Sequence, residues 1–106
     1  MPPANGRATP GARAFLTNHA RVLARLAADP TARMRDVAAD TGLTERAVHK
    51  IVAELTAAGY LTVRRVGRQN RYDIDRRRPL GHPLEAHLTV GELIDVATKN
   101  NGRIQS

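Results

Sequence analysis

The sequence has no cysteine and no tryptophan, and its aromatic residues are Phe15, Tyr60 and Tyr72 alone. Without cysteine there is no disulfide framework, no thiolate chemistry and no cysteine-based zinc site. With so few rings, a core must be assembled from Leu, Val, Ile and Ala, which the 42% apolar content can supply. No apolar run approaches the roughly 20 residues needed to span a bilayer. Met1 to Arg13 lacks the apolar stretch of a secretory signal, so the expected compartment is the cytoplasm. Catalytic patterns are missing too. No Ser, His and Asp stand in a supporting arrangement, and no Gly-rich loop follows a strand. The carboxylates Asp36, Asp40, Glu45, Glu54, Asp73 and Asp75 are scattered among arginines and read as surface ion-pair partners. The expectation is a protein that is not an enzyme and uses no cofactor.

What is present is positive charge. The 106 residues, one domain's worth of chain, carry 17 Lys and Arg against 10 Asp and Glu, a net +7. Residues 44–78 hold nine basic and four acidic side chains, a net +5, whereas residues 79–99 are net −2. A nucleic-acid-facing side and a side turned to solvent or a partner produce such an asymmetry; a uniformly solvated surface does not need it.

Residues 1–16, with three Pro and two Gly, read as a flexible arm. A first helix is predicted over Asn18–Ala28, capped by Thr17 or Asn18 and closed by Asp29 and Pro30, because the residue before Pro avoids the helical region. Ala32 to Met34 is a brief strand or an extended link. A short second helix follows over Arg35–Thr41, with Val37 and Ala38 inward. Gly42 supplies a left-handed turn and Leu43 enters the core. Thr44 caps a third helix over Glu45–Ala58, whose inner face is Val48, Ile51, Val52 and Leu55, and Gly59 ends it. The apolar period then changes to two. Leu61 and Val63, then Tyr72 and Ile74, alternate with polar residues around a tip at Val66–Asn70, which is a β-hairpin with one apolar face. Arg76 to Pro83 is a rigid connector, in which Arg76, Arg77 and Arg78 either touch a nucleic-acid backbone or form a solvated linker. A last amphipathic helix lies within Leu84–Lys99, with Thr89 as a possible internal cap, and residues 100–106 read as a frayed tail. The predicted class is mainly α with a small β-hairpin, an α+β winged helix-turn-helix. Residues 17–78 form its three-helix core and wing, and residues 79–99 the linker and C-terminal helix.

The run from Met34 to Lys50, continuing through Leu55 to Leu61, resembles the DNA-binding core of MarR/ArsR-like winged helix-turn-helix transcriptional regulators. Gly67, Arg68, Asn70 and Tyr72 are similar to a wing sequence of such regulators. The resemblance covers roughly residues 17–75 and implies a duplex-DNA-binding regulator. Two features depart from the pattern. Ala47 and His49 stand where the family often has Thr and Ser, so the base contacts differ. The several dimerisation helices of a full MarR protein are also missing, which leaves one C-terminal helix.

In a helix-turn-helix the second helix of the pair enters the major groove. The outward residues here are Thr44, Arg46, Ala47, His49, Lys50 and Ala53. Arg46 suits bidentate bonding to guanine, Lys50 a phosphate or guanine, His49 a base edge, and Ala47 a thymine methyl. Thr44 and the first-turn amides suit a phosphate. On the hairpin, Arg64, Arg65, Arg68 and Arg71 are expected on the outer face or tip with Gln69 and Asn70 beside them. Arg68 is the candidate for a narrow minor groove. Asn70 can instead supply a left-handed turn residue, and Tyr72, sharing the parity of Ile74, is expected in the core. His82 and His87 with Glu85 between them make a poor metal site and read as surface or capping groups. No metal is expected. Leu84, Leu88, Val90, Leu93, Ile94, Val96 and Ala97 either complete the chain's own core or pair with a second copy. The homodimer, with recognition helices about 34 Å apart, is the favoured reading. A winged-helix protein-interaction or adaptor module without specific DNA binding remains the alternative, and RNA or replication-origin binding a third.

Overall fold

The computed structural model describes residues 16–102, and the side chains of residues 16–98. The segment read as an N-terminal arm lies outside that range but for Leu16. Helix α1 (Asn18–Ala28) begins where the Thr17 hydroxyl oxygen accepts from the Ala20 amide at 3.1 Å. It buries Val22, Leu23 and Leu26. Its chain leaves the helical region at Asp29, ahead of Pro30.

The link that follows forms no strand and is extended only at its end, since it first turns at Pro30–Thr31 with the Ala32 amide bonded to the Asp29 carbonyl at 3.1 Å; within that turn the Pro30 carbonyl accepts from the Tyr72 amide at 2.8 Å. That bond fastens the hairpin to the front of the helix-turn-helix. Helix α2 (Met34–Thr41) starts one residue before the predicted position and buries Met34, Val37 and Ala38. Gly42 adopts φ +79, which lets both its own amide and that of Leu43 bond the Ala38 carbonyl at 2.9 and 3.1 Å. Helix α3 (Glu45–Ala57) then starts at a fixed angle, with the Thr44 hydroxyl accepting from the Ala47 amide at 3.0 Å. Ala58 forms its cap rather than its last turn, and Gly59 makes the left-handed exit.

Strands β1 (Leu61–Val66) and β2 (Gln69–Ile74) pair antiparallel, with Leu61 opposite Ile74 and Val63 opposite Tyr72. Leu61 and Tyr72 are buried, whereas Val63 and Val66 are exposed, so only the base of the wing belongs to the core. The tip is narrower than the predicted Val66–Asn70. Gly67 at φ +62 and Arg68 alone make the two-residue turn, the pattern that matches strand twist. Asn70 sits in β2 opposite Arg65 and supplies no turn residue, because Gly67 provides the positive φ at no steric cost.

The connector corrects the sequence reading of Arg76 to Arg78. The Arg76 guanidinium donates to the Gly91 carbonyl at 3.2 Å and to Asp95 at 2.6 Å, and Arg78 lies over the Tyr60 ring at 5.3 Å. The amides of Val90 and Gly91 bond the carbonyls of Arg78 and Arg76. Two of the three arginines therefore clasp the C-terminal segment. Gly91 permits the approach, since a Cβ there would come within 3.0 Å of the Arg76 backbone oxygen. After a short 3-10 turn at Pro83–Glu85, helix α4 (Val90–Gly102) opens with a capping box: the Thr89 amide donates to Glu92 at 2.9 Å and the Glu92 amide to the Thr89 hydroxyl at 3.2 Å. Helix α4 begins six residues after Leu84 and runs through Gly102, while residues 103–106 lie outside the described range.

Val22 and Leu26 of α1, Val37 of α2, Val48 of α3 and Val90 of α4 are the most deeply buried side chains. Each contributes about 1.5–3 kcal/mol through removal from water. Nothing lies within 4 Å of a Cβ built on Gly42, so its substitution acts through the backbone alone. Gly42→Ala should cost about 1–2 kcal/mol in urea unfolding, with Gly42→Asn costing less. Equal stability of wild type and Gly42→Ala would show that the turn does not require its left-handed residue.

Candidate nucleic-acid interface

Burial of Val48, Ile51, Val52 and Leu55 sets the rotation of α3 about its axis. At 3.6 residues per turn, Arg46, Lys50 and Ala53 then point directly away from the core, and all are exposed. His49 lies on one flank, 3.6 Å from Glu45 one turn earlier. Ala47 lies on the other flank and is half-buried, so it is less open than the sequence suggested. Thr44 is exposed but its oxygen already caps the helix, leaving only the hydroxyl proton for another acceptor.

The exposed cations differ in how far they are already satisfied. Lys50 is 3.5 Å from a Glu54 oxygen, and the other oxygen of that carboxylate accepts from His19 of α1 at 2.7 Å. The His19 hydrogen bond, opposed by partial burial and reinforced by the Lys50 charge, holds the Glu54 carboxyl below its ordinary range. Arg46 has no hydrogen-bond or ion-pair partner among the described residues.

The wing shows the same division. Arg64 and Arg71 stand directly opposite one another, and both reach the Asp73 carboxylate, at 2.5 and 3.1 Å. The Arg64 hydrogen bond, with burial opposing and Arg71 adding, pulls the Asp73 carboxyl below its ordinary range, and Asp73 in turn raises Arg64. Repulsion within the arginine cluster is relieved in part by this internal anion. Arg65 does not share that face. The register puts it on the side of Leu61 and Val63, where it donates to the Gly67 carbonyl at 3.2 Å and leans on Asn70. The predicted single outer arginine face is therefore split in two by strand alternation. Arg68, at the tip, is exposed and unpartnered among the described residues, with Gln69 exposed beside it.

Four helices with a two-stranded wing after the third, and an outward cationic stripe on that third helix, describe a winged helix. A model of the MarR family matches residues 15–71. The chain belongs to the MarR family. That family is one of winged-helix transcriptional regulators. The matched stretch of this MarR-family protein ends in β2, so the connector and α4 lie beyond it. Among solved structures, the chain is similar to the PcaV transcriptional regulator from Streptomyces coelicolor, crystallised in complex with its natural ligand. The identity is 18% and the TM-score 0.49, over 86% of this chain and 66% of that one. No curated protein sequence matches it.

Among the described residues, no three His, Asp or Glu side chains gather as a metal site. His82 in this MarR-family chain is used as a cap, its Nδ1 accepting from the Leu84 amide at 3.1 Å. Sequence reasoning missed two groups. His19 gave no signal because its partner, Glu54, is 35 residues away. Arg33 was passed over as part of a link, yet it lines a cleft of about 440 Å³ with Arg68, Gln69 and Asn70. No local signal marked it, because the wing reaches the link through the bond between Pro30 and Tyr72, which are far apart in the chain.

Because the folded Asp73 carboxyl lies below the ordinary aspartate range, its contribution to wing stability is present above that range and lost as pH falls through the depressed value. Asp73→Asn should lower the thermal midpoint near neutrality, with the gap to wild type closing below about pH 4. A gap of constant size across that range would assign Asp73 a packing role instead of a charge role.

Proposed function

We propose that this regulator binds double-stranded DNA sequence-specifically, with α3 in the major groove and the basic wing on the minor groove or backbone. The observation that carries this reading is the pair Arg46 and Arg68: exposed, on the outward face of α3 and at the wing tip, and without an ionic partner among the described residues. A guanidinium left free while its neighbours are paired is available for a planar, bidentate acceptor such as a guanine edge. In this reading Arg46, His49 and Lys50 meet bases, with Ala47 at the groove wall. Thr44, Arg64, Arg65 and Arg71 hold phosphate, and Gln69 and Asn70 flank Arg68 where the wing tip meets the minor groove or the backbone that bounds it. Lys50, Arg64 and Arg71 must first loosen from Glu54 and Asp73, which reduces their net gain. These ion pairs are exposed and exchange readily for phosphate.

A homodimer completes the reading, and the protein acts in the cytoplasm. Leu84 and Val96 are 80% and 73% exposed, on the 3-10 turn and the outer side of α4. They provide apolar surface in the net-acidic part of the chain, away from phosphate. A two-fold axis there would let two copies read an inverted repeat.

Selection of bound duplexes from a random pool should return one preferred half-site, repeated with inverted symmetry. Retention on heparin or random duplex that vanishes at low salt, with no enriched sequence, would favour the adaptor reading. Arg46→Ala should weaken binding to the selected duplex by about 1–3 kcal/mol and relax preference at one base pair. Equal loss on scrambled DNA would reduce Arg46 to a phosphate contact. Arg68→Ala should make the dependence of log affinity on log salt shallower by about one. An unchanged slope would remove the wing tip from the interface.

A further inference from the structure

The Pro30–Tyr72 hydrogen bond pins the wing against the link before α2, and two stretches of chain run from that pin to one cleft. On one wall, β2 leads back four residues to Arg68, about 13 Å at strand rise. On the other, the chain turns at Pro30–Thr31, where the Ala32 amide donates to the Asp29 carbonyl at 3.1 Å, and then runs extended through Arg33. Both arginines line the resulting cleft of about 440 Å³, and both are exposed. Asp29 and Asp36 line it as well, yet no ion pair joins either carboxylate to either arginine among the described residues. The Asp29 carboxylate is engaged by the amide and hydroxyl of Thr31, both at 3.3 Å. The two cations thus border one cleft from two different elements, which the Pro30–Tyr72 bond and the buried Tyr72 ring hold together.

We propose that Arg33 and Arg68 clamp a stretch of DNA phosphate backbone from opposite walls of this cleft, with Arg33 an additional positioning residue of the interface. The inference rests on the duplex-binding reading above. It assigns the cleft to the sugar–phosphate strand that bounds the groove entered by α3. Two guanidinia on separate elements fix that strand between the helix-turn-helix and the wing. They set register without reading sequence, because phosphate carries none. Asp36, which also lines the cleft, repels an anionic strand that lies close to it, so the strand is held on the side of the two arginines.

The test is a salt titration of duplex binding by wild type, Arg33→Ala and Arg33→Lys, on the selected duplex and on a scrambled one. For Arg33→Ala the log–log slope should become shallower by about one, so that affinity falls about fourfold less than for wild type between about 50 and 200 mM salt. The loss should be equal on the two duplexes. Arg33→Lys should keep the wild-type slope, since a phosphate contact needs charge, and thermal midpoints of all three proteins should coincide. Ethylation of the clamped phosphates should interfere with wild-type binding but no longer with that of Arg33→Ala. An unchanged slope for Arg33→Ala in a wild-type protein that binds duplex, or a loss confined to the selected duplex, overturns the clamp. Absence of duplex binding by wild type overturns the underlying reading instead.

Discussion

Burial of one aliphatic stripe on α3 aims everything on its opposite side. Val48, Ile51, Val52 and Leu55 can leave water only by packing on α1 and α2, and that fixes the helix about its own axis. Arg46 and Lys50 then have no direction left but outward. The Gly42 turn and the Thr44 cap fix where the helix starts, and Leu61, one short turn beyond its end, commits the wing to the same core. The cationic surface is a consequence of hydrophobic packing, because among the described residues every ionic contact involves at least one well-exposed partner and none is deep enough to orient a helix.

Within that surface, the protein's own carboxylates sort the cations. Asp73 holds Arg64 and Arg71, and Glu54 is shared between His19 and Lys50. Asp95 and the Gly91 carbonyl take up Arg76, while Tyr60 takes Arg78. A net charge of +7 therefore overstates what is free to meet an outside anion. Among the described residues, Arg33, Arg46 and Arg68, from three different parts of the fold, are in the group that has no such partner, as are Arg35 and Arg77. Exposed ion pairs gain little over solvation, so the sorted cations remain available to phosphate at a small cost. The two classes should differ in strength of contact and not in kind. The clasp made by Arg76 and Arg78 has a second effect. It ties α4 to the exit of the wing, so the helix that offers apolar surface and the hairpin that offers charge are mechanically joined.

Much of the fold was legible in the order of residues. Helix α1 has the predicted bounds, α2 and α3 differ by one residue at one end each, and the hairpin follows the alternation of Leu61, Val63, Tyr72 and Ile74. These features rest on local rules: a hydroxyl before a helix, a glycine after it, a period of 3.6 or of two. Of the less successful readings, two misapplied a local rule and one turned on partners distant in sequence. Arg65 was grouped with Arg64 although adjacent strand residues face opposite ways. Asn70 was offered a turn that Gly67 already makes. Arg76 and Arg78 were treated as a linker because nothing near them in sequence announces Asp95 or Tyr60.

By itself the sequence determined the element order, the inward stripe of each helix and the concentration of positive charge in residues 44–78, because backbone preference and apolar period act over a few residues. Only the tertiary structure decided which arginines are spent on internal carboxylates, which wall of a cleft Arg33 occupies, and that the connector grips α4. Those outcomes depend on distances between groups up to tens of residues apart, and electrostatic pairing falls off too steeply with distance for sequence neighbours to foretell it.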